Sequence, residues 1–360
     1  MIEQQTRKRI GKLGLTCLDE EKACPGYVLY SPSRSNKTHL IDLHGNTVHQ
    51  WNLEYLPGLY GYLLPNGNLF YNGKTQHTEP EQYMSWGQGF KGGILQEITP
   101  EGKVIWEHKD PYHHHDGRKT KTGGAIYLNL EPVPPNIASK VKGGIPGSDD
   151  KGMWSDLIKE VDSQGETVWE WHAYEHLNPE TDSLLGNISR VEWTHGNSVA
   201  QLGIDRVLVS FRSLSMVAII DKKTDEIVWR LGYDILAQQH DPSMLDNGNI
   251  LIFDNGITRK KENWSHSRVI EVNQRGEVVW EYKDSPIHHF YSCHISGARR
   301  LVNGNTLIVE GGSGRMFQVT PECEVVWEYI NPYFYQSSMG IVNNVFKANH
   351  YTKQEIPFLN

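Results

Sequence analysis

The sequence predicts an all-β fold, a six-bladed β-propeller with four-stranded antiparallel blades and one blade closed by both chain ends. Three observations carry this: a six-fold tryptophan repeat, Asn-Gly-Asn turns placed between the copies, and matching strand-like runs at the two ends of the chain.

The repeat reads Gly102-Lys-Val-Ile-Trp106-Glu107, Gly165-Glu-Thr-Val-Trp169-Glu170, Asp225-Glu-Ile-Val-Trp229-Arg230, Gly276-Glu-Val-Val-Trp280-Glu281 and Cys323-Glu-Val-Val-Trp327-Glu328, with a looser copy at Gly45-Asn-Thr-Val-His-Gln-Trp51. Each copy follows a short apolar run ending in an acidic or polar turn, such as Leu157–Asp162 or Val269–Asn273, which is the pattern of a hairpin. A second hairpin is signalled by Leu64-Pro-Asn-Gly-Asn-Leu69, Leu245-Asp-Asn-Gly-Asn-Ile250 and Leu301-Val-Asn-Gly-Asn-Thr306, because Asn-Gly readily adopts the positive φ of tight turns. Two hairpins make a four-stranded blade, and the tryptophans stand 47 to 63 residues apart, one blade length with loops. The tryptophans themselves are expected to be core wedges between blades. Tyr27–Tyr30 precedes the first hairpin as Thr306–Val309 precedes the last, so the closing blade is expected to combine both chain ends and to include Val345-Phe346; closure removes the exposed sheet edges. The expected organisation is an N-terminal extension at 1–26, a propeller at 27–352 and a tail at 353–360.

With 360 residues, 38% of them hydrophobic, the chain has ample material for a large core. It has no run of about eighteen apolar residues and no apolar signal core after Met1, so the expected protein is soluble and cytoplasmic, without a membrane partner. A formal charge of -8 and a pI near 6.1 argue against nucleic acid as a partner. Four cysteines are too few for a disulfide framework and are read as reduced thiols, although Cys17 and Cys24 are near enough in sequence to pair in an oxidising compartment. Nothing in the sequence fixes the oligomeric state.

Histidines recur at comparable places on different blades. His240 lies eight residues before Gly248 and His115 eight before Gly123; His195 precedes the strand Val207–Ser210 in nearly the same register; His294 lies ten before Gly304, a shift of two that keeps one strand face. Equivalent positions in a closed ring converge on its axis, so these four imidazoles are expected to share a cavity. A His-Asp pair can instead tie a loop to a sheet, which is the alternative reading of His240-Asp241 and His115-Asp116 taken singly; four in register make that reading insufficient. Of His113, His114 and His115, one or two are expected to face inward. His44, His49, His172, His176, His288, His289 and His350 lie outside the register and are read as surface or loop residues.

The runs Gly26–Pro32, Leu40–Asn46, Gly58–Asn68, Glu192-Trp-Thr-His-Gly-Asn-Ser198, Gln239-His-Asp241, Phe253-Asp-Asn-Gly256 and Ser296–Ile308 together resemble the bacterial aryl-sulfate sulfotransferase family, over residues 14 to 352. The resemblance implies a six-bladed propeller that moves a sulfuryl group from an aryl sulfate to a phenol through a sulfohistidine, without the adenosine phosphosulfate donor and without a cofactor. By motif and spacing it implies His294 as nucleophile, with His195, His240 and Arg259 as partners and Arg268 as an alternative arginine. His115, Asn197, Trp193 and Tyr291 complete the expected substrate-binding set, the last two by stacking on a small aromatic substrate or packing within the blades. The founding enzymes are exported and carry a disulfide, and some have a long N-terminal domain, features this sequence does not display.

The chemistry is coherent: a neutral imidazole is nucleophilic near pH 7, and positive neighbours both keep it neutral and hold the sulfate oxygens. A second reading makes His115, His195, His240 and His294 ligands of one divalent transition-metal ion in a lyase or hydrolase. A third is a non-catalytic binding platform. The long loops Gln76–Gly92 and Pro132–Met153 are expected to shape a rim of the pocket.

Overall fold

The computed structural model describes residues 12–75, 90–259, 264–338 and 340–359. Six antiparallel sheets follow one another round an axis, and their first strands touch in a closed ring. From the axis outward, blade 1 is Val345–Tyr351, Tyr27–Pro32, Lys37–Asp42 and Thr47–Asn52; blade 2 is Leu56–Leu63, Leu69–Lys74, Gly93–Ile98 and Val104–Lys109. Blade 3 is His113–Lys119, Ala125–Pro132, Trp154–Val161 and Thr167–His172; blade 4 is Gly196–Leu202, Arg206–Phe211, Met216–Asp221 and Glu226–Leu231. Blade 5 is His240–Met244, Ile250–Asp254, Arg268–Val272 and Val278–Tyr282; blade 6 is Gly297–Arg300, Thr306–Glu310, Arg315–Val319 and Val325–Ile330.

Both chain ends close the ring. Val345–Tyr351, near the C-terminus, supplies the innermost strand beside Tyr27–Pro32. Gly14–Leu18, within the expected extension, pairs with Val325–Ile330 and gives blade 6 a fifth, outermost strand. Beyond Tyr351, Phe358 packs edge-on against Trp51. All four cysteines are free thiols. No helix among the described residues is long and apolar enough to cross a membrane.

The tryptophan repeat staples each blade to the next. The indole N–H of Trp51 donates to Thr99 O, Trp106 to Ser163 O, Trp171 to Asp225 O, Trp229 to Gln274 O, Trp280 to Pro321 O and Trp327 to Leu43 O, at 2.8 to 3.0 Å. The last bond returns to blade 1, so the six bonds form a complete circle. Trp51 and Trp327 are fully buried wedges as expected, and in blade 3 the buried wedge is Trp171, two residues past the repeat position Trp169, whereas Trp106, Trp229 and Trp280 are only half-buried. For those three the donor, worth about 0.5–1.5 kcal/mol net in each bond, explains the residue better than burial does. Trp169 is also half-buried and bonds the Asp225 carboxylate at 2.9 Å.

On the axis, one buried polar network joins all six inner strands. Lys347 Nζ of blade 1 lies 3.1 Å from Asp116 of blade 3 and 2.9 Å from Asp241 of blade 5. Tyr60 of blade 2 and Ser198 of blade 4 donate to Asp116 at 2.5 and 3.1 Å, and Arg299 of blade 6 grips both oxygens of Asp241 at 2.5 and 2.8 Å. Burial alone would raise the Asp116 carboxyl, but Arg118 and Lys347 hold it at about 2. Asp116, Asp241 and Lys347 each follow a residue of the site described next, so this network fixes the strands that carry it.

Candidate active site

His115, His195, His240 and His294 gather into one cluster from blades 3, 4, 5 and 6. The His115 and His195 rings are 4.9 Å apart and edge to face, and His240 is close enough to both His195 and His294 that their charges would act on it. Phe90 stacks on His115 at 4.3 Å, and Phe346 of the closing strand lies 6.3 Å from both His115 and His240. His115 and His195 both sit at φ +49, Asp241 at +54 and Ser296 at +96, left-handed backbone at the start of each inner strand. These residues break the strand period, which is how the imidazoles turn into the pocket.

Each imidazole has a defined anchor. Asn255 donates its amide to Ser292 O and Ile295 O at 2.8 and 2.9 Å, so its oxygen is left to accept from His240 Nδ1 at 2.7 Å. His240 Nε2 is the nitrogen facing the other way. His195 Nδ1 is 2.5 Å from Glu192 Oε2. Burial and then Asp156 push the Glu192 carboxyl well up, while burial and Arg212 push the His195 imidazole well down; the pair is neutral, with Glu192 donating. His115 Nδ1 meets His114 Nδ1 at 2.8 Å, and His114 Nε2 stands 3.1 Å from Asp156 Oδ1. His294, more open than His115 or His240, has Cys293 Sγ beside Nδ1 at 3.4 Å. Of the other two adjoining histidines, His113 turns away to accept from Gly93 N at 3.0 Å.

The motif Trp193-Thr-His-Gly-Asn197 acquires a physical reading. Thr194 Oγ1 and Gly196 N both donate to Asp156 Oδ2, the latter at 2.7 Å. A Cβ on residue 196 would lie 2.3 Å from Asp156 Oδ1, so only glycine admits the carboxylate. Asn197 donates to Gln239 O at 2.8 Å, tying blade 4 to the residue before His240. Trp193 is fully buried in the core of blades 3 and 4, its indole on Asp182 O at 2.8 Å.

The arginine in the pocket is Arg212, which follows the second strand of blade 4 and was not singled out by the sequence. Its charge, after burial, lowers the pKa of His195, His240 and His294, and it acts on His115 as well. Its guanidinium has no hydrogen bond or salt bridge among the described residues, and it lines an open pocket of about 310 Å³ with Glu192, His195, Ser213, Gln238, Ile188 and Ile257. Arg259 instead bonds Asp254 at 2.9 Å and His266 at 2.8 Å; Arg268 bonds Asp254, Glu281 and Ile235 O at 2.9, 2.9 and 2.6 Å. Those two guanidinium groups are occupied with blade 5 and its neighbouring loop. Tyr291 is half-buried, with its backbone N–H on Glu310 at 3.1 Å.

The long loops divide. Residues 76–89 lie outside the described residues, while Phe90–Gly92 runs alongside His113–His115, Gly92 N donating to His113 O at 2.9 Å. Within 132–153, Gly143–Ile145 pairs in parallel with Leu184–Ser189, whose Asn187, Ile188 and Ser189 line the pocket. Among the described residues no group of three or more His, Cys, Asp or Glu has a metal-binding arrangement. A fixed cation beside four imidazoles favours an anionic ligand over a second cation.

The family described as Arylsulfotransferase (ASST) matches residues 64–332, most of the chain, and supports aryl sulfotransferase activity in general. No curated protein matches. Among solved structures, a protein of unknown function from Bacteroides caccae is 13% identical with a TM-score of 0.55, over 90% of this chain and 98% of that one. A streptogramin B lyase is 10% identical at TM-score 0.48 over 94% and 93% of the two chains, and the WD40 propeller domain of Doa1 is 12% identical at 0.45 over 95% and 94%. At 13% identity the likeness to the Bacteroides caccae protein concerns the fold alone.

Proposed function

We propose that this chain, which belongs to the arylsulfotransferase family, transfers a sulfuryl group from an aryl sulfate to a phenol through a sulfohistidine at His294, without adenosine phosphosulfate and without a resident metal. One observation carries the reading: the Arg212 guanidinium, without a hydrogen bond or salt bridge among the described residues, is held among imidazoles whose protonation it disfavours.

Such a site suits sulfuryl transfer for electrostatic reasons. Arg212 receives two sulfuryl oxygens on its planar fork. Burial and Arg212 keep His294 neutral, so a ring lone pair attacks sulfur; the S–O bond to the aryl group breaks and the pair leaves with the phenolate. His195, taking the Glu192 proton on Nδ1, carries its own proton on Nε2 and donates to the charge developing on the oxygens. His240, fixed by Asn255, forms the adjoining wall. A phenol then attacks the sulfohistidine and regenerates the free ring. Ile188 and Ile257 at the mouth supply apolar contact for the arene.

The test is a donor-only incubation: 4-nitrophenyl sulfate without acceptor, acid-free digestion and mass spectrometry. One added SO3 on His294, discharged by phenol and absent in His294→Asn, is expected. Absence of any sulfated histidine from a turning-over enzyme would end the proposal.

A further inference from the structure

Resting on the sulfotransfer reading, we infer that the buried chain Asp156–His114–His115 is a proton relay, and that His115 is the general base that takes the proton of the acceptor phenol.

The hydrogen-bond inventory sets its direction. Asp156 Oδ2 already accepts from Thr194 Oγ1 and Gly196 N, which leaves Oδ1 for His114 Nε2 at 3.1 Å. His114 Nε2 and Asp156 Oδ1 face each other at ion-pair distance without the angle of a hydrogen bond, neither atom has any other polar partner, and both side chains are wholly buried. With its proton on Nε2, His114 accepts at Nδ1 from His115 Nδ1, 2.8 Å away. The remaining lone pair of His115 is then on Nε2, on a ring that lies 4.9 Å from that of His195 and feels the charges of His240 and Arg212. The groups acting on His115 are those three, His114 behind it, and the rings of Phe90 and Phe346 on either side.

His115 differs from His240 in what lies behind it. The Nδ1 proton of His240 rests on a neutral amide, so a proton gained at Nε2 meets no compensating charge. The Nδ1 proton of His115 leads through His114 to a buried carboxylate, and an imidazolium formed there is stabilised. In the acceptor half-reaction the phenol oxygen bonds to sulfur, the N–S bond breaks with its electron pair returning to His294, and the phenolic proton goes to His115 Nε2. It then leaves to solvent or to the departed phenolate, which restores the resting state. A donor with a good leaving group departs as phenolate and needs no such proton, so the relay acts mainly in the second half-reaction.

Stopped-flow kinetics with 4-nitrophenyl sulfate as donor and phenol as acceptor separate the halves. For His115→Ala the burst of 4-nitrophenolate is expected to persist within about tenfold, while turnover with phenol falls about 10²-fold or more and recovers with added imidazole. Asp156→Asn, checked for folding by thermal melting, is expected to slow the acceptor step and move its acidic limb to lower pH, because the imidazolium loses its counter-charge. Equal loss of burst and turnover in His115→Ala without imidazole rescue, or an unshifted acceptor step in a folded Asp156→Asn, would overturn the relay. A wild-type protein with neither burst nor turnover would remove the sulfotransfer reading itself and the relay with it.

Discussion

Replacing Arg212 with alanine removes the cation on which the proposed sulfuryl site depends. Its guanidinium has a net favourable partner only when an anion is bound, since no carboxylate or carbonyl of the described protein bonds it. If it gives two charge-assisted hydrogen bonds to the sulfuryl oxygens, each worth about 1.5–3 kcal/mol, their loss is at least about 3 kcal/mol. At about 1.4 kcal/mol per decade, kcat/KM for an aryl sulfate falls about 10²-fold or more. Arg212→Lys keeps the charge and loses the fork, and retains more activity than alanine. The pH profile supplies an independent signature. Arg212 now lowers the pKa of His195, His240 and His294 after burial has done so; without it the acidic limb of kcat/KM moves upward, yet stays below the ordinary histidine value because burial remains. Thermal stability should not fall, because the resting enzyme loses a desolvated, unpaired charge. Steady-state assays across pH 4 to 9 check all three; kcat/KM within about threefold of wild type and an unmoved acidic limb would refute the assignment.

Lys347→Met leaves Asp116 and Asp241 short of a counter-charge at the crossing of six blades, and is expected to cost about 3–5 kcal/mol in urea unfolding at pH 7; a cost under about 1 kcal/mol would show that Arg118 and Arg299 suffice. Melting temperature should stay nearly level from pH 7 to 5 and fall below about pH 4.5, for reasons that two opposing sets of groups provide. Burial lowers His39 to about 4 and His113 to about 3, so the stability they contribute above the unfolded histidine value is lost as pH falls through those values. Burial raises Glu131 and Glu310 to about 7, so their contribution is fully present below the unfolded carboxylate value and is lost as pH rises through 7; a melting temperature unchanged down to pH 3 would contradict this. Exhaustive chelation is expected to leave turnover unchanged. Loss of turnover restored by zinc would instead make the imidazoles ligands.

The propeller was legible because each blade repeats a physical task in the same words. Val-Trp-Glu places an indole donor over the next blade's outer turn, and in Asn66-Gly-Asn68 and Asn247-Gly-Asn249 the flanking asparagines bond Glu97 and Glu271 on the third strand. Three of the pocket histidines were found by their offset from the turn glycine, which survives because the first hairpin keeps its length. Arg212 was missed because it sits just past the second strand, where blade 4 reads Phe211-Arg-Ser213 and no repeated word exists. Antiparallel pairing nevertheless puts the end of every second strand on the rim where the inner strands begin. The same place in blade 5 is Asn255, which orients His240, so a comparison of those positions could have found both. Asp156 and His114 carry no motif of their own; Thr194 and Gly196 were visible, but the carboxylate that explains them lies forty residues earlier. Arg259 matched the expected spacing, and its guanidinium is bonded to Asp254 and His266.

A crystal structure of the enzyme soaked with an aryl sulfate in the absence of acceptor bears most directly on the site. Density for a sulfuryl group bridged to Arg212, and bonded to or in line with a ring nitrogen of His294, is the predicted result. Density for the anion away from Arg212, or for a metal ion held between the imidazoles, would contradict the account.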